Sequence, residues 1–462
     1  MRYVVRFLLV ASIALGTSLA PVSAAPAPRT SYIVLLDDDL ADPASLVRAL
    51  GLTYGFHAKF VYKHALNGFA ADLTPSALAG VQADPRVLSV AEDSTFSVTS
   101  TCTGEDGSAS PGGVYATQCL PTGIDRVDAE GSTAQSGNGE GSVDIDIAVI
   151  DTGIDLNHPD LNVVGGKDCA SPVGKKKVSF DDGNGHGTHV AGTIGALDNG
   201  IGVVGVAPGA SLWAVRVFRD NGIASKSSVI CGIDFVTSTR LDADPGNDIA
   251  VANMSLTGPG KDDGGCGQTK DALHAAICNS VAAGVTFAVA AGNDPIDFQT
   301  SVPAAYDEVL TVTAVTDLDG LPGGLDPRDS CPFSGPPPIV DDSAASFTAF
   351  ATLPTDQAHT IAAPGVCITS SFASPGFLGD DPNGLFGNDS GTSMAAPHVT
   401  GTVAICIASG ACVGLTPLQI IQKILSDAAA YNGATPGYGF SGDPLHPIDG
   451  RYYGYLIRAG LY

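Results

Sequence analysis

Three short strings in this chain hold the residue types for acyl transfer: Asp151-Thr152-Gly153, then His186-Gly187-Thr188-His189, then Gly391-Thr392-Ser393-Met394-Ala395. A serine hydroxyl is a poor nucleophile until a base takes its proton, and an imidazole serves as that base near neutral pH. A buried carboxylate then fixes the imidazole's tautomer and steadies its charged form. A lone serine at a helix start is most often an N-cap, so Thr392 or Ser393 taken singly would say little. Acid, base and nucleophile in three glycine-bearing strings say more. His186 is the candidate base, because the glycines on either side leave room for its ring; His189 and His398 read as structural.

The flanks indicate how such groups would be held. Residues 144–150 alternate and then run apolar up to Asp151. That pattern predicts a buried strand with the acid at its carboxyl end, where open α/β sheets place ligands. Residues 185–192 are glycine-rich, then small and apolar, which predicts a tight turn feeding a closely packed helix. Residues 391–399 set Ser393 at a helix start, where the dipole and unbonded amides favour developing negative charge. The apolar run 285–291 ends at Gly292-Asn293, which puts Asn293 at another strand end. Apolar strands at 143–150, 212–218, 249–254, 285–290 and 309–315, with helices at 269–283 and 393–409, predict an α/β fold. Its architecture is a three-layer sandwich around a mostly parallel sheet. The Ser393 string lacks the second glycine of the G-x-S-x-G elbow, which argues against a lipase or esterase.

In these motifs the chain resembles the subtilisin-type serine proteases, whose acid, base and nucleophile follow in this order. The resemblance implies that Asp151 orients the base, that His186 is the base and that Ser393 is the nucleophile. It implies that Asn293, in Ala290-Ala291-Gly292-Asn293, donates its side-chain amide to the oxyanion. A fixed amide aimed at the developing oxyanion contributes about 2.7–4 kcal/mol to lowering the barrier. Asn253-Met254-Ser255-Leu256 matches the segment that pairs with an extended peptide and walls the primary pocket. Ser255, Leu256 and Thr257 are therefore expected to bind substrate, with Ala291 and Gly292 on the opposite wall. Polypeptide substrates would bind by strand addition, with a second pairing strand at 216–225. The family often follows that leucine with two glycines; here Thr257-Gly258 stands instead, so Thr257 bears on the pocket's width.

The resemblance also implies a structural Ca2+. Its ligands would be the side chains of Gln118, Asp160 and Asn199 and the carbonyls of Leu197, Ile201 and Val203. An all-oxygen set suits a hard cation.

The amino-terminal residues read as two further units. Arg2 and Arg6, the apolar run 7–15 and Val22-Ser23-Ala24 predict a signal peptide over 1–24, and hence a secreted, extracellular protein. Residues 25–100 read as β-α-β-β-α-β, the ferredoxin-like order. This small α+β unit resembles the family's inhibitory propeptide, including Asn67-Gly68-Phe69-Ala70 and the closing Glu92-Asp93. It implies an intramolecular inhibitor cut off near 99–103, leaving a peptidase domain over 101–462. A net charge of −26 and the lack of a basic patch argue against a nucleic acid partner. No later stretch is long and apolar enough for a membrane span, and a monomer is expected. Ten cysteines suit an oxidising compartment. Cys102 with Cys119, Cys266 with Cys278, Cys406 with Cys412, Cys169 with Cys231 and Cys331 with Cys367 would make an even set, although connectivity does not follow from spacing. The stretch 318–343 looks like a surface insertion.

Overall fold

The computed structural model describes residues 28–37, 42–97, 118–171, 179–324, 339–373 and 385–462. The expected signal peptide, the cleavage region 99–103, Cys102 and Cys331 lie outside these residues.

The amino-terminal unit has a four-stranded antiparallel sheet in the order Ala58–Tyr62, Gly68–Leu73, Thr30–Leu36, Val87–Glu92. Its helices begin where the local chemistry allows. Pro43–Tyr54 is capped by the Asp42 carboxylate and Pro75–Gln82 by the Thr74 hydroxyl, each with proline in the first turn. Val34, Leu50, Phe69, Leu73 and Val81 close a small core of its own. The β-α-β-β-α-β expectation holds.

In the larger unit, seven strands run parallel. From one edge they are Val163–Asp168, Ser211–Arg216, Asp146–Asp151, Val251–Met254, Thr286–Ala290, Leu310–Thr316 and Thr360–Pro364. The two-residue strand Ser343–Ala344 joins Leu310–Thr316 antiparallel. Alternation along Asp146–Asp151 sends Ile147 and Val149 to one face and Ala148 and Ile150 to the other. The helices His186–Gly195, Thr392–Ala408 and Pro417–Ala434 pack on the first face, Lys226–Leu241 and Ala272–Ala282 on the second. Residues 392–406 are buried without a break, as expected of a helix enclosed on all sides. The three-layer expectation is met. Two strands were not legible. Val163–Asp168 carries paired glycines, and Thr360–Pro364 is too short for a period to show. Near the carboxyl terminus, Tyr452 and Leu456 form isolated bridges to Ala351 and Ala362.

The two units meet through directed bonds. Asp234 Oδ1 accepts the amides of Lys63, His64 and Ala65 at 3.1, 2.6 and 2.9 Å. Asn279 Nδ2 donates to the Ala65 carbonyl, and the Tyr62 hydroxyl to the Ser227 carbonyl. At the start of the Lys226–Leu241 helix, the Asp93 carboxylate accepts the Ser227 amide at 2.9 Å and its hydroxyl at 2.6 Å. A carboxylate at a helix amino terminus satisfies donors that the helix leaves unbonded.

Disulfides join Cys169 to Cys231, Cys266 to Cys278 and Cys406 to Cys412, as the sequence suggested. Cys367 is also disulfide-bonded, whereas Cys119 has no such bond among the described residues.

One buried ion cluster ties the start of the domain to its end. Arg126 is fully enclosed, with Nε 2.6 Å from Asp317 Oδ2 and Nη2 2.8 Å from Asp342 Oδ1. Nη2 also donates to the Tyr438 carbonyl at 2.6 Å, and the guanidinium lies over the Tyr438 ring. Removing one partner of a buried ion pair leaves the other charge uncompensated. Arg126→Ala is therefore expected to cost about 3–5 kcal/mol of unfolding free energy in a denaturant titration. A loss below about 0.5 kcal/mol, the level of an ordinary surface change, would contradict this packing.

Candidate active site

The carboxyl edge of the sheet gathers the residues that the sequence singled out. Asp151 ends the strand Asp146–Asp151 and is fully buried. Its Oδ1 accepts the Thr152 amide at 2.7 Å and lies 2.8 Å from His186 Nδ1. That bond leaves the other ring nitrogen, Nε2, facing away from the carboxylate. Among the described residues Nε2 makes no hydrogen bond. Burial pulls the His186 pKa down. The Asp151 charge and hydrogen bond, with smaller help from Asp389 and Asp182, outweigh it, so the ring sits above its ordinary value. The other two histidines behave differently. Burial lowers His189 to about 3 and His398 to about 4, and each spends a ring nitrogen on a backbone carbonyl.

The imidazole is fixed by its backbone. His186 opens the helix His186–Gly195, and a Cβ on Gly187 would stand 2.1 Å from the Gly153 carbonyl oxygen. Only glycine lets the helix approach the Asp151 strand this closely. Asp182 organises the turn before it. Its carboxylate accepts the amides of Asn184, Gly185 and Thr188 and the hydroxyls of Thr152 and Thr188. Sequence reasoning missed Asp182. The signal was the acidic turn Asp181-Asp182-Gly183-Asn184-Gly185 directly before the histidine.

Ser393 stands in the first turn of Thr392–Ala408. Its hydroxyl donates to the Ser255 carbonyl at 3.3 Å, and the Ser255 hydroxyl donates to the Ser393 carbonyl at 2.7 Å. Asn293 follows the strand Thr286–Ala290, and its Oδ1 accepts both the amide and the hydroxyl of Thr392 at 2.8 Å. The carbonyl end of that amide is thus held on the helix start.

The residues expected to line the pocket are unequally exposed. Ser255, Leu256 and Ala291 are fully buried. Thr257 is half-buried, and its Cγ2 lies 3.6 Å from where a Cβ on Gly292 would be. Thr257 and Gly292 therefore lie side by side. The neighbouring strand Ile223–Ser225 is already paired. Thr95–Ser97 of the amino-terminal unit runs antiparallel to it, with Phe96 opposite Ala224. Phe96 is buried against Gly258, where a Cβ would come within 2.7 Å of the ring.

Of the expected cation ligands, Gln118, Asp160 and Asn199 are linked by hydrogen bonds. Gln118 Oε1 accepts the amides of Asn199 and Gly200 at 2.8 Å. Asp160 accepts from Asn199 Nδ2 at 3.0 Å and from the Val203 amide at 3.1 Å. The Leu197 amide donates to the Asp160 carbonyl, and Ile201 lies on the same loop. Burial raises the Asp160 pKa to about 7, against only two hydrogen bonds that lower it. A fully buried carboxylate compensated by only two N–H donors fits a hard cation. Asp198 was missed. It ties this loop to the amides of Gly137, Gly139 and Gly141.

Sequence comparison agrees with this geometry. The Subtilase family (Peptidase S8) matches residues 143–441, and Peptidase inhibitor I9 matches residues 31–99. Subtilisin E of Bacillus subtilis is 34% identical over 377 residues, covering 81% of this chain and 78% of that protein. The extracellular serine proteinase of a Thermus species is 34% identical over 78% of this chain and 71% of its own length. In fold, the chain is similar to fervidolysin from Fervidobacterium pennivorans, with a TM-score of 0.64 at 24% identity over 94% of this chain and 61% of that one. The chain belongs to the subtilase family of serine peptidases and carries an inhibitor I9 unit ahead of its peptidase domain.

Proposed function

We propose that this chain is a secreted serine endopeptidase, made as a zymogen, that cuts peptide bonds through an acyl-enzyme on Ser393 and removes its own residues 25–100. The observation that carries this reading is the strand Thr95–Ser97 lying on Ile223–Ser225. A segment of the chain itself occupies the edge where a substrate would add a strand.

In this mechanism the Ser393 hydroxyl turns from the Ser255 carbonyl to His186 Nε2. Nε2 takes its proton as the oxygen attacks the substrate carbonyl. The Asn293 side-chain amide and the Ser393 amide, at the helix start, hold the oxyanion. His186 then protonates the leaving amine. Water repeats the sequence on the ester, and Asp151 keeps the ring in one tautomer throughout. Residues 1–24 would direct export and then be removed, and the propeptide would inhibit until cut.

Processing tests the zymogen reading. Purified Ser393→Ala chain should keep residues 25–100 covalently attached, while the parent chain releases them; spontaneous release by the variant would refute self-cleavage.

Thr257 tests the pocket. In this reading its methyl narrows the space between the two walls. Thr257→Gly should raise kcat/KM for large aromatic residues at the cleavage site, relative to small ones, by about tenfold. An unchanged ratio would remove Thr257 from the pocket.

The residues at 118, 160 and 197–203 would hold Ca2+ as a structural ion. The sign of its pH dependence follows from Asp160. Its carboxyl has an ordinary value of 3.8 and is raised to about 7 on folding. Between those values the folded chain holds the extra proton, so without the ion stability falls as pH rises through that window. The ion offsets that loss only where the carboxylate is charged. Chelation should therefore lower the Tm more at pH above about 7 than at about 5, and Asp160→Asn should abolish the difference. An equal effect of chelator on parent and variant would rule out this ligand set.

A further inference from the structure

Two buried histidines lie on the acid-rich side of the peptidase unit, and only one has its bonds satisfied. His274 Nδ1 is 3.0 Å from Asp263 and its Nε2 is 2.8 Å from Glu308, while its ring stacks on Tyr306. Those carboxylates outweigh burial and hold it at about 9, so it is a cation in a complete ion cluster.

His359 is the opposite case. It is 2% exposed, and neither ring nitrogen makes a well-directed hydrogen bond, the Val309 backbone offering only a weak contact. Beside it Asp356 is 4% exposed, with Oδ2 unpartnered. Asp307 Oδ1 stands 3.8 Å from His359 Nε2. One ligand atom from each of these three residues lies within 4.8 Å of the others.

The fold explains the convergence. Asp307 shortly precedes the strand Leu310–Thr316, and His359 immediately precedes the neighbouring parallel strand Thr360–Pro364. The cluster therefore sits at the amino edge of the sheet, opposite the edge that carries Asp151. The backbone of His359 is fixed, since its carbonyl accepts the Thr311 amide at 2.8 Å. Asp356 closes the group from the helix Pro354–Gln357.

We propose that Asp307, Asp356 and His359 bind a borderline divalent cation, of which zinc is the type. One imidazole nitrogen with two carboxylates is a borderline donor set, distinct from the all-oxygen loop at Asp160. Ligands at about 2.0–2.2 Å from such an ion stand closer to each other than these do, so the site closes by a small movement. Asp307 supplies it, because its side chain is 51% exposed. That exposure also leaves an entry path and room for a water ligand. Metal binds the neutral form of an imidazole. The bound ion would staple the amino ends of two adjacent strands and touch no residue of the acyl-transfer site.

Cobalt tests this directly. The full chain, with Ser393→Ala to prevent self-digestion and no polyhistidine tag, is stripped of metal and then kept in excess calcium near neutral pH. Added Co2+ should give visible d–d bands that saturate at about one equivalent and are displaced by Zn2+. His359→Gln and Asp307→Asn should each abolish the bands. Asp307→Asn changes a half-exposed residue, so it reports even if the His359 variant misfolds. No cobalt bands at all, bands that persist in Asp307→Asn, or bands lost instead in His274→Gln would overturn the proposal.

Discussion

The bond between Asp151 and His186 is the constraint around which the site is arranged. Both groups are enclosed, and a buried pair repays its desolvation only if geometry and neighbouring hydrogen bonds are good. The chain meets that condition in layers. A strand end delivers the carboxylate, Gly187 lets the helix come close, and Asp182 bonds the turn from both sides. The result is an imidazole with one nitrogen fixed and the other directed away from the acid. No exposed loop would hold a ring so rigidly.

The same physics holds the inhibitor I9 unit in place. It does not rest on an apolar patch alone. Asp234 gathers three amides of the incoming chain, and Asp93 caps a helix of the peptidase unit. The strand Thr95–Ser97 then adds to Ile223–Ser225, with Phe96 as its buried anchor. Each contact uses a backbone group that a helix end or a sheet edge would otherwise leave unpaired.

Much of this was legible because the chemistry-bearing residues sit at element ends. Apolar runs stopping at Asp151 and at Gly292-Asn293 mark strand ends directly. The run of small residues after Ser393 marks a buried helix. What stayed hidden depends on partners distant in sequence. Asp182 and Asp198 look like ordinary loop acids until the amides they accept are brought to them. The helix Lys226–Leu241 shows no apolar stripe, because one side packs on the sheet and another on the amino-terminal unit. Likewise His359 resembles any core histidine in sequence; only its position beside two acids, with no well-directed bond to either ring nitrogen, sets it apart.

Labelling with a fluorophosphonate tests the acyl-transfer assignment most directly. Once residues 25–100 have been removed, the enzyme should take up a single label, mapped by mass spectrometry to Ser393, and His186→Ala should prevent it. Modification at a different serine, or equal labelling of the His186 variant, would contradict the account.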